Sequence, residues 1–214
     1  MVPKEELIYQ LSCNLRIYLT NINSNLNTMK KILTIGVMGP GTNATKQEIL
    51  LAEKVGRIIA SKGHYILTGG SNTGVMNAAL KGAKDCDPNA RTIAILSHNG
   101  EPEKTSPYAD VCIPTGMGEG RNYMNIRSCD IIIFCCNNVY KSAGTFSEFT
   151  FTIKHKKPVI FLHEKDEPLN RKFYSIWEQL LTSICEEDQH EDQIITDNVK
   201  DFEKFLDIMI EKIG

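Results

Sequence analysis

From residue 31 onward, short apolar runs rich in β-branched residues recur along the chain. They fall at Ile32 to Val37, Tyr65 to Thr68, Thr92 to Leu96, Ala109 to Ile113, Asp130 to Cys135, Pro158 to Leu162 and Gln193 to Thr196. The runs are continuous rather than alternating, as expected for parallel strands covered on both faces. Most of the intervals between them carry a helical period. Thr45 to Ser61 aligns Ile49, Ala52, Val55 and Ile59, opens with a Thr45/Glu48 capping box and stops at Gly63. Phe173, Ile176, Trp177, Leu180, Leu181 and Ile184 share one stripe, as do Val199, Phe202, Leu206, Met209 and Ile213. This alternation predicts a doubly wound, mostly parallel α/β sheet of about seven strands with helices on both faces. Ligands of such sheets sit beyond the carboxyl ends of the strands.

Residues 1–29 break the pattern. Leu11, Leu15, Tyr18 and Ile22 keep helical spacing, but the segment then runs into Asn21, Asn23, Asn25 and Asn27. We expect an N-terminal extension over 1–29 and one domain over 30–214, able to fold from Met29. A chain of 214 residues, 42% hydrophobic and 23% charged, suits one such core. A net charge of −2 and a pI near 6.2 argue against bulk positive potential for nucleic acid. No apolar run is long enough to suggest a membrane span, so the chain reads as soluble and cytoplasmic. Seven cysteines without CxxC spacing favour a reducing compartment, and five histidines without an HxH or HxxxH pair predict no metal site.

Three glycine-containing loops follow predicted strands and so share one edge of the sheet. The first, Gly36 to Gly41, offers Gly39 and Gly41 for close backbone approach to a ligand, although a tight turn explains them equally well. The second carries Gly69, Gly70 and Ser71 before a helix with Val75, Ala78, Ala79 and Gly82, whose small residues permit close packing on the sheet. The third spans 115–130 and contributes Gly116, Arg121 and Asn122. Arg121 has a planar, permanent cation suited to a phosphate or carboxylate and is expected in an exposed crevice, where its removal would barely change stability. Arg127, six positions later, points to another face of the helix.

The most informative segment is Gly144-Thr145-Phe146-Ser147-Glu148, where a buried strand hands over to a helix. Helix N-termini favour anions. Thr145 to Glu148 fits a capping box, in which the glutamate merely returns to the N-cap amide. A carboxylate facing the crevice could equally meet a ribose hydroxyl or a leaving group. The two readings are compatible, and both stay open at this point.

The series TGGxxxGVMNAAxxGA, GRNxxxxRSCD and GTxSE, in that order, resembles the Rossmann-like proteins labelled "possible lysine decarboxylase". That superfamily includes the Lonely Guy phosphoribohydrolases and the molybdenum-cofactor carrier proteins, and RNxxxxRSxD is most similar to the carrier branch. Nothing supports the decarboxylase label, because no lysine stands in a pyridoxal-phosphate context. The resemblance implies that Arg121 and Glu148 match the pair that acts on the glycosidic bond in the hydrolases. It also implies that Gly69, Gly70, Gly144 and Thr145 hold phosphate. One departure stands out: where the family shows a PGG or GGG run before GT, this chain has the longer stretch Cys136 to Ala143 without paired glycines. Phosphate is then gripped by Lys141 and Ser142, or not there at all.

These readings lead to a Rossmann-like protein that binds a nucleotide or a phosphate-bearing pterin, as a molybdenum-cofactor carrier does, and that forms a homo-oligomer, dimer or tetramer. No cofactor is demanded by the residues themselves; molybdenum cofactor or a nucleotide is the bound ligand that the resemblance implies. The rival reading is hydrolysis of a nucleoside 5′-monophosphate to base and ribose 5-phosphate. A single-stranded DNA-binding relative is the least favoured, because the basic surface composition it needs is missing.

Overall fold

The computed structural model describes residues 31–163, Ser175, Gln179 and 192–214. The Phe173 to Ile184 stripe and the N-terminal extension lie outside the described residues. No described helix is long and apolar enough to cross a membrane.

Seven parallel strands form one sheet in the order β4-β3-β2-β1-β5-β6-β7. They are β1 (Thr34–Met38), β2 (Tyr65–Thr68), β3 (Thr92–Leu96), β4 (Val111–Pro114), β5 (Ile131–Cys135), β6 (Val159–Leu162) and β7 (Gln193–Thr196). The described helices are α1 (Lys46–Ser61), α2 (Gly74–Cys86), α3 (Arg121–Arg127), α4 (Ala143–Lys154) and α5 (Val199–Ile213). This is the Rossmann-like, doubly wound fold expected from the alternation of apolar runs. Strand order reverses between β1 and β5, so the switch point where such sheets bind ligands lies at the carboxyl ends of these two strands.

β5 shows why continuous apolar runs belong here: all five residues are buried, and successive side chains feed opposite layers. Ile131, Ile133 and Cys135 join a core with α1, α2 and α5, whereas Ile132 and Phe134 join a second core with Ile126 of α3 and Phe149 and Ile153 of α4. Phe134 stacks on Phe161 at 4.7 Å, with the Phe149 ring edge-on to both.

α1 opens on the expected box, with Thr45 Oγ1 accepting from the Glu48 amide and Glu48 Oε2 accepting from the Thr45 amide. Val75, Ala78 and Ala79 of α2 share a core with Ile35, Val37 and Ile66 of the sheet, but Gly82 serves a different surface from the one expected. A Cβ on Gly82 would strike the Glu53 carbonyl of α1, and one on Gly56 would strike the Ala79 carbonyl of α2. The close approach is therefore helix to helix, with each glycine seated on the other backbone.

β4 is the exception to double coverage. Its four residues are all exposed, so the Ala109 to Ile113 run marks an edge strand rather than a buried one, and it is displaced to Val111–Pro114. Pro114 has no amide to donate, which suits an edge.

Gly82→Ala should destabilise the protein by about 3 kcal/mol, because a methyl group cannot be accommodated without moving α1 off α2. Urea unfolding measures it, and a change below about 1 kcal/mol would mean that the helices separate easily.

Candidate functional site

The two helices on the β1–β5 flank each turn one stripe inward. On α3 the buried residues are Arg121, Asn122, Asn125 and Ile126, and on α4 they are Thr145, Glu148, Phe149, Thr152 and Ile153. The i, i+4 relation puts Asn125 on the same face as Arg121, and the i, i+3 relation does the same for Thr145 and Glu148. Where the stripes meet, a polar cluster replaces the apolar core.

At its centre Arg121 Nη1 lies 3.4 Å from Glu148 Oε1. Asn125 Nδ2 donates to the same Oε1 at 2.8 Å, and Arg121 Nη1 donates to Asn122 Oδ1 at 2.9 Å. Asn122 Nδ2 reaches Ser147 Oγ at 2.9 Å and Glu119 Oε2 at 3.0 Å. Met76 covers the other side, with its sulfur 3.9 Å from Arg121 Nη2. The expectation of an exposed crevice arginine is corrected here: Arg121 is 8% exposed and Glu148 is 5% exposed. The guanidinium has this position because residue 69 is glycine; a Cβ there would overlap the guanidinium itself. Gly70 turns the chain away at φ +73°, and a Cβ on it would collide with Leu96 and Ala94.

Burial pushes the Glu148 carboxyl up to about 7, against the Arg121 cation and the Asn125 hydrogen bond, which both hold it down. Glu148 thus carries a proton part of the time at neutral pH. It is not a cap. Ser142 is the N-cap, its Oγ accepting from the Thr145 amide at 3.3 Å, so α4 starts before the presumed box and Glu148 lies in its second turn.

Three buried polar atoms in this cluster have no hydrogen-bond partner in the protein: Arg121 Nε, Asn125 Oδ1 and Thr145 Oγ1. Buried polar groups are rarely left so, and all three belong to the inward stripes of α3 and α4.

The other sequence candidates lie around this cluster or apart from it. Gly144, in the first turn of α4, sits within about 4 Å of Glu119, Asn122 and Ser142, as judged from the position of a Cβ on it. Gly39 is pressed against the Cys135 carbonyl and Val75, where β1 meets β5. Gly41 lies beside Met76 and Thr73. Ser71 bonds Thr73 Oγ1 at 3.0 Å and bridges Thr105, and Gly116 turns at φ +61° on the exposed stretch after β4. Lys141 is exposed. The stretch from Cys136 is a built element: Val139 is fully buried, Asn138 caps a 3-10 turn over Val139–Lys141, and the Asn137 amide donates to Glu48 Oε1 at 2.9 Å. Glu48 therefore ties the start of α1 to the exit of β5. Asn125, Glu119, Ser147 and Met76 were missed in the sequence; for Asn125, its place four residues after Arg121 was an available signal.

The model of the SLOG cluster 4 family matches residues 32–199. The chain belongs to this family. Among solved structures, this SLOG protein is 32% identical to the molybdenum cofactor binding protein of the phototrophic bacterium Rippkaea orientalis. That alignment covers 86% of this chain and 98% of the other, with a TM-score of 0.66. The molybdenum cofactor carrier protein of Chlamydomonas reinhardtii is 27% identical over 85% of this chain and 99% of its own, also at 0.66. An uncharacterised protein of Archaeoglobus fulgidus is 36% identical over 132 residues, 62% of this chain and 81% of that one.

The burial of Arg121 reverses the expectation that its loss is harmless. Arg121→Ala should cost about 3–5 kcal/mol at pH 8, where it strands a buried carboxylate, and clearly less at pH 5, where Glu148 is neutral. In the wild type the raised Glu148 pKa has its own sign. The folded state binds more protons than the unfolded state between the model value of 4.5 and about 7, so this contribution to stability is full below that window and is lost as pH rises through it. Glu148→Gln should remove that slope, on the order of 2–3 kcal/mol across the window. Urea melts at pH 5 and pH 8 test both; parallel behaviour of mutant and wild type at the two pH values would contradict the burial of the pair.

Proposed function

We propose that this SLOG protein carries a phosphate-bearing heterocycle, with molybdenum cofactor as the cargo, held at the switch-point edge of the sheet over Arg121, Asn125 and Thr145. The observation that carries the reading is the trio of orphaned atoms. Leaving a buried donor or acceptor unmade costs about 1–3 kcal/mol each, so their coincidence at one ion pair is a standing cost to the empty fold. Their chemistry is mixed. Arg121 Nε needs an acceptor, Asn125 Oδ1 needs a donor, and Thr145 Oγ1 takes either. The dianion of a phosphate ester meets the first and third but has no donor for Asn125, whereas a pterin presents N–H donors beside ring and carbonyl acceptors. The resemblance to two molybdenum-cofactor proteins over nearly their whole lengths supports the same cargo.

A second reading rests on Glu148, whose pKa of about 7 suits a general base. In it, Glu148 takes a proton from water as the water attacks the anomeric carbon of a nucleoside monophosphate, and the glycosidic electron pair leaves with the base. The segment before Gly144 weighs against this, because its 3-10 turn and Ser142 cap replace the glycine-rich cradle of the hydrolases.

Thr145→Val distinguishes a ligand site from an accident of packing. The swap keeps the shape and removes the orphaned hydroxyl, so the free protein should be as stable as the wild type or about 1 kcal/mol more so, while affinity for molybdopterin falls about five- to thirtyfold by calorimetric titration. Unchanged affinity removes Thr145 from the site. In the same preparation, adenosine 5′-monophosphate should release no adenine with wild type or with Glu148→Gln; rapid release dependent on Glu148 overturns the carrier reading in favour of hydrolysis.

A further inference from the structure

The guanidinium of Arg121 is held along one edge and unused along another. Nη1 donates to Asn122 Oδ1 at 2.9 Å and faces Glu148 Oε1 at 3.4 Å, which fixes the plane of the group. Nε has no hydrogen-bond partner in the protein, and Nη2 meets the Met76 sulfur at 3.9 Å. Nε and Nη2 share one edge of the guanidinium, the parallel pair of N–H donors that grips an oxyanion by two of its oxygens. A thioether is only a weak acceptor, so it shields this fork without engaging it. The fork is therefore aimed in advance and still open to a stronger acceptor.

Met76 has both the position and the freedom to give way. It is half-buried, whereas Arg121 is only 8% exposed, so the thioether is the outer of the two groups. It belongs to the first turn of α2, a helix of 13 residues whose N-cap Thr73 supplies no side-chain hydrogen bond, so an anion that replaced it would also lie near the positive end of that helix. Its methyl end borders open space. A Cβ on Gly41 would lie 3.4 Å from Met76 Cε and 3.9 Å from Thr73 Oγ1, and among the described residues nothing else beyond its own chain neighbours comes within 4 Å of that point. An unbranched side chain with three rotatable bonds can turn into that room.

We propose that Met76 is the gate of the ligand site: its thioether covers the Nε and Nη2 edge of Arg121 in the free protein and turns toward Gly41 when a phosphate group of the ligand takes that edge in a bidentate grip. The grip is charge-assisted, so it favours ligands that carry the phosphate over neutral ones of the same shape. This rests on the preceding reading for the place of the ligand and adds which of its groups meets Arg121. Gly41 then provides clearance for a side chain rather than close backbone approach to the ligand.

Calorimetric titration of the full chain with inorganic phosphate tests it, beside the same titration with molybdopterin. Met76→Ala removes the cover and should bind phosphate about fivefold more tightly than the wild type, or better. Gly41→Ala fills the space into which the gate turns and should weaken binding about fivefold, but only while Met76 is present; added to Met76→Ala it should change nothing. Both positions are partly exposed, so the thermal melts should stay near that of the wild type. A Met76→Ala variant no tighter than the wild type, a Gly41→Ala effect of the same size with and without Met76, or no phosphate bound by any of the four proteins would each overturn the gate. Molybdopterin separates the two proposals. If it fails to bind while phosphate shows the coupling, the gate stands and the cargo is another phosphate ester; if all four proteins bind it equally, the cargo reading stands and the gate falls.

Discussion

The ion pair of Arg121 and Glu148 is the constraint around which the switch-point edge is arranged. Desolvating two charges costs more than a pair at 3.4 Å readily returns, so the pair persists only with further hydrogen bonds around it. Those come from Asn122 and Asn125, whose register on α3 is set by the same turn that places the arginine. A glycine at the end of β2 leaves room for the guanidinium, and a cap two residues upstream of Gly144 phases α4 so that its carboxylate points inward. Two helices, a strand end and a turn therefore converge to keep one charged contact out of water.

Such an arrangement suits the binding role proposed above better than it suits stability. A hydrophobic replacement of the same volume would hold the helices together at less cost, and it would leave no orphaned donors or acceptors. The partial protonation of Glu148 at neutral pH fits this view. A carboxyl poised between two states can donate to or accept from a visiting group, whereas one locked as an anion can only accept.

The sheet was largely legible in the chain because buried parallel strands write themselves as uninterrupted apolar runs, and Ile131 to Cys135 is buried on both sides as its composition implied. β4 misled for the same reason: Val111, Cys112 and Ile113 have the composition of a core strand, but nothing described covers them, and composition does not distinguish a strand sealed by its own helices from one left bare. Arg121 and Glu148 were readable as a pair from motif order. Their burial was not, since it depends on Gly69 lying beneath the guanidinium, a contact across fifty-two positions that leaves no periodic trace. The Thr145/Glu148 box looked sound in isolation and lost to Ser142, because the preceding 3-10 turn starts the helix earlier than the threonine would.

The buried carboxylate of Glu48 has mechanical meaning. One of its oxygens holds the first amide of its own helix cap and the other holds Asn137, so the connection leaving β1 and the connection leaving β5 are fastened by a single side chain across the switch point. Pro40 and Gly41 are in turn wedged against Gly74, with the Val75 amide bonded to the Pro40 carbonyl at 3.0 Å. This flank is thus tied at both connections, whereas on the facing flank α3 is only seven residues long and runs between an exposed 3-10 turn and the strand it feeds.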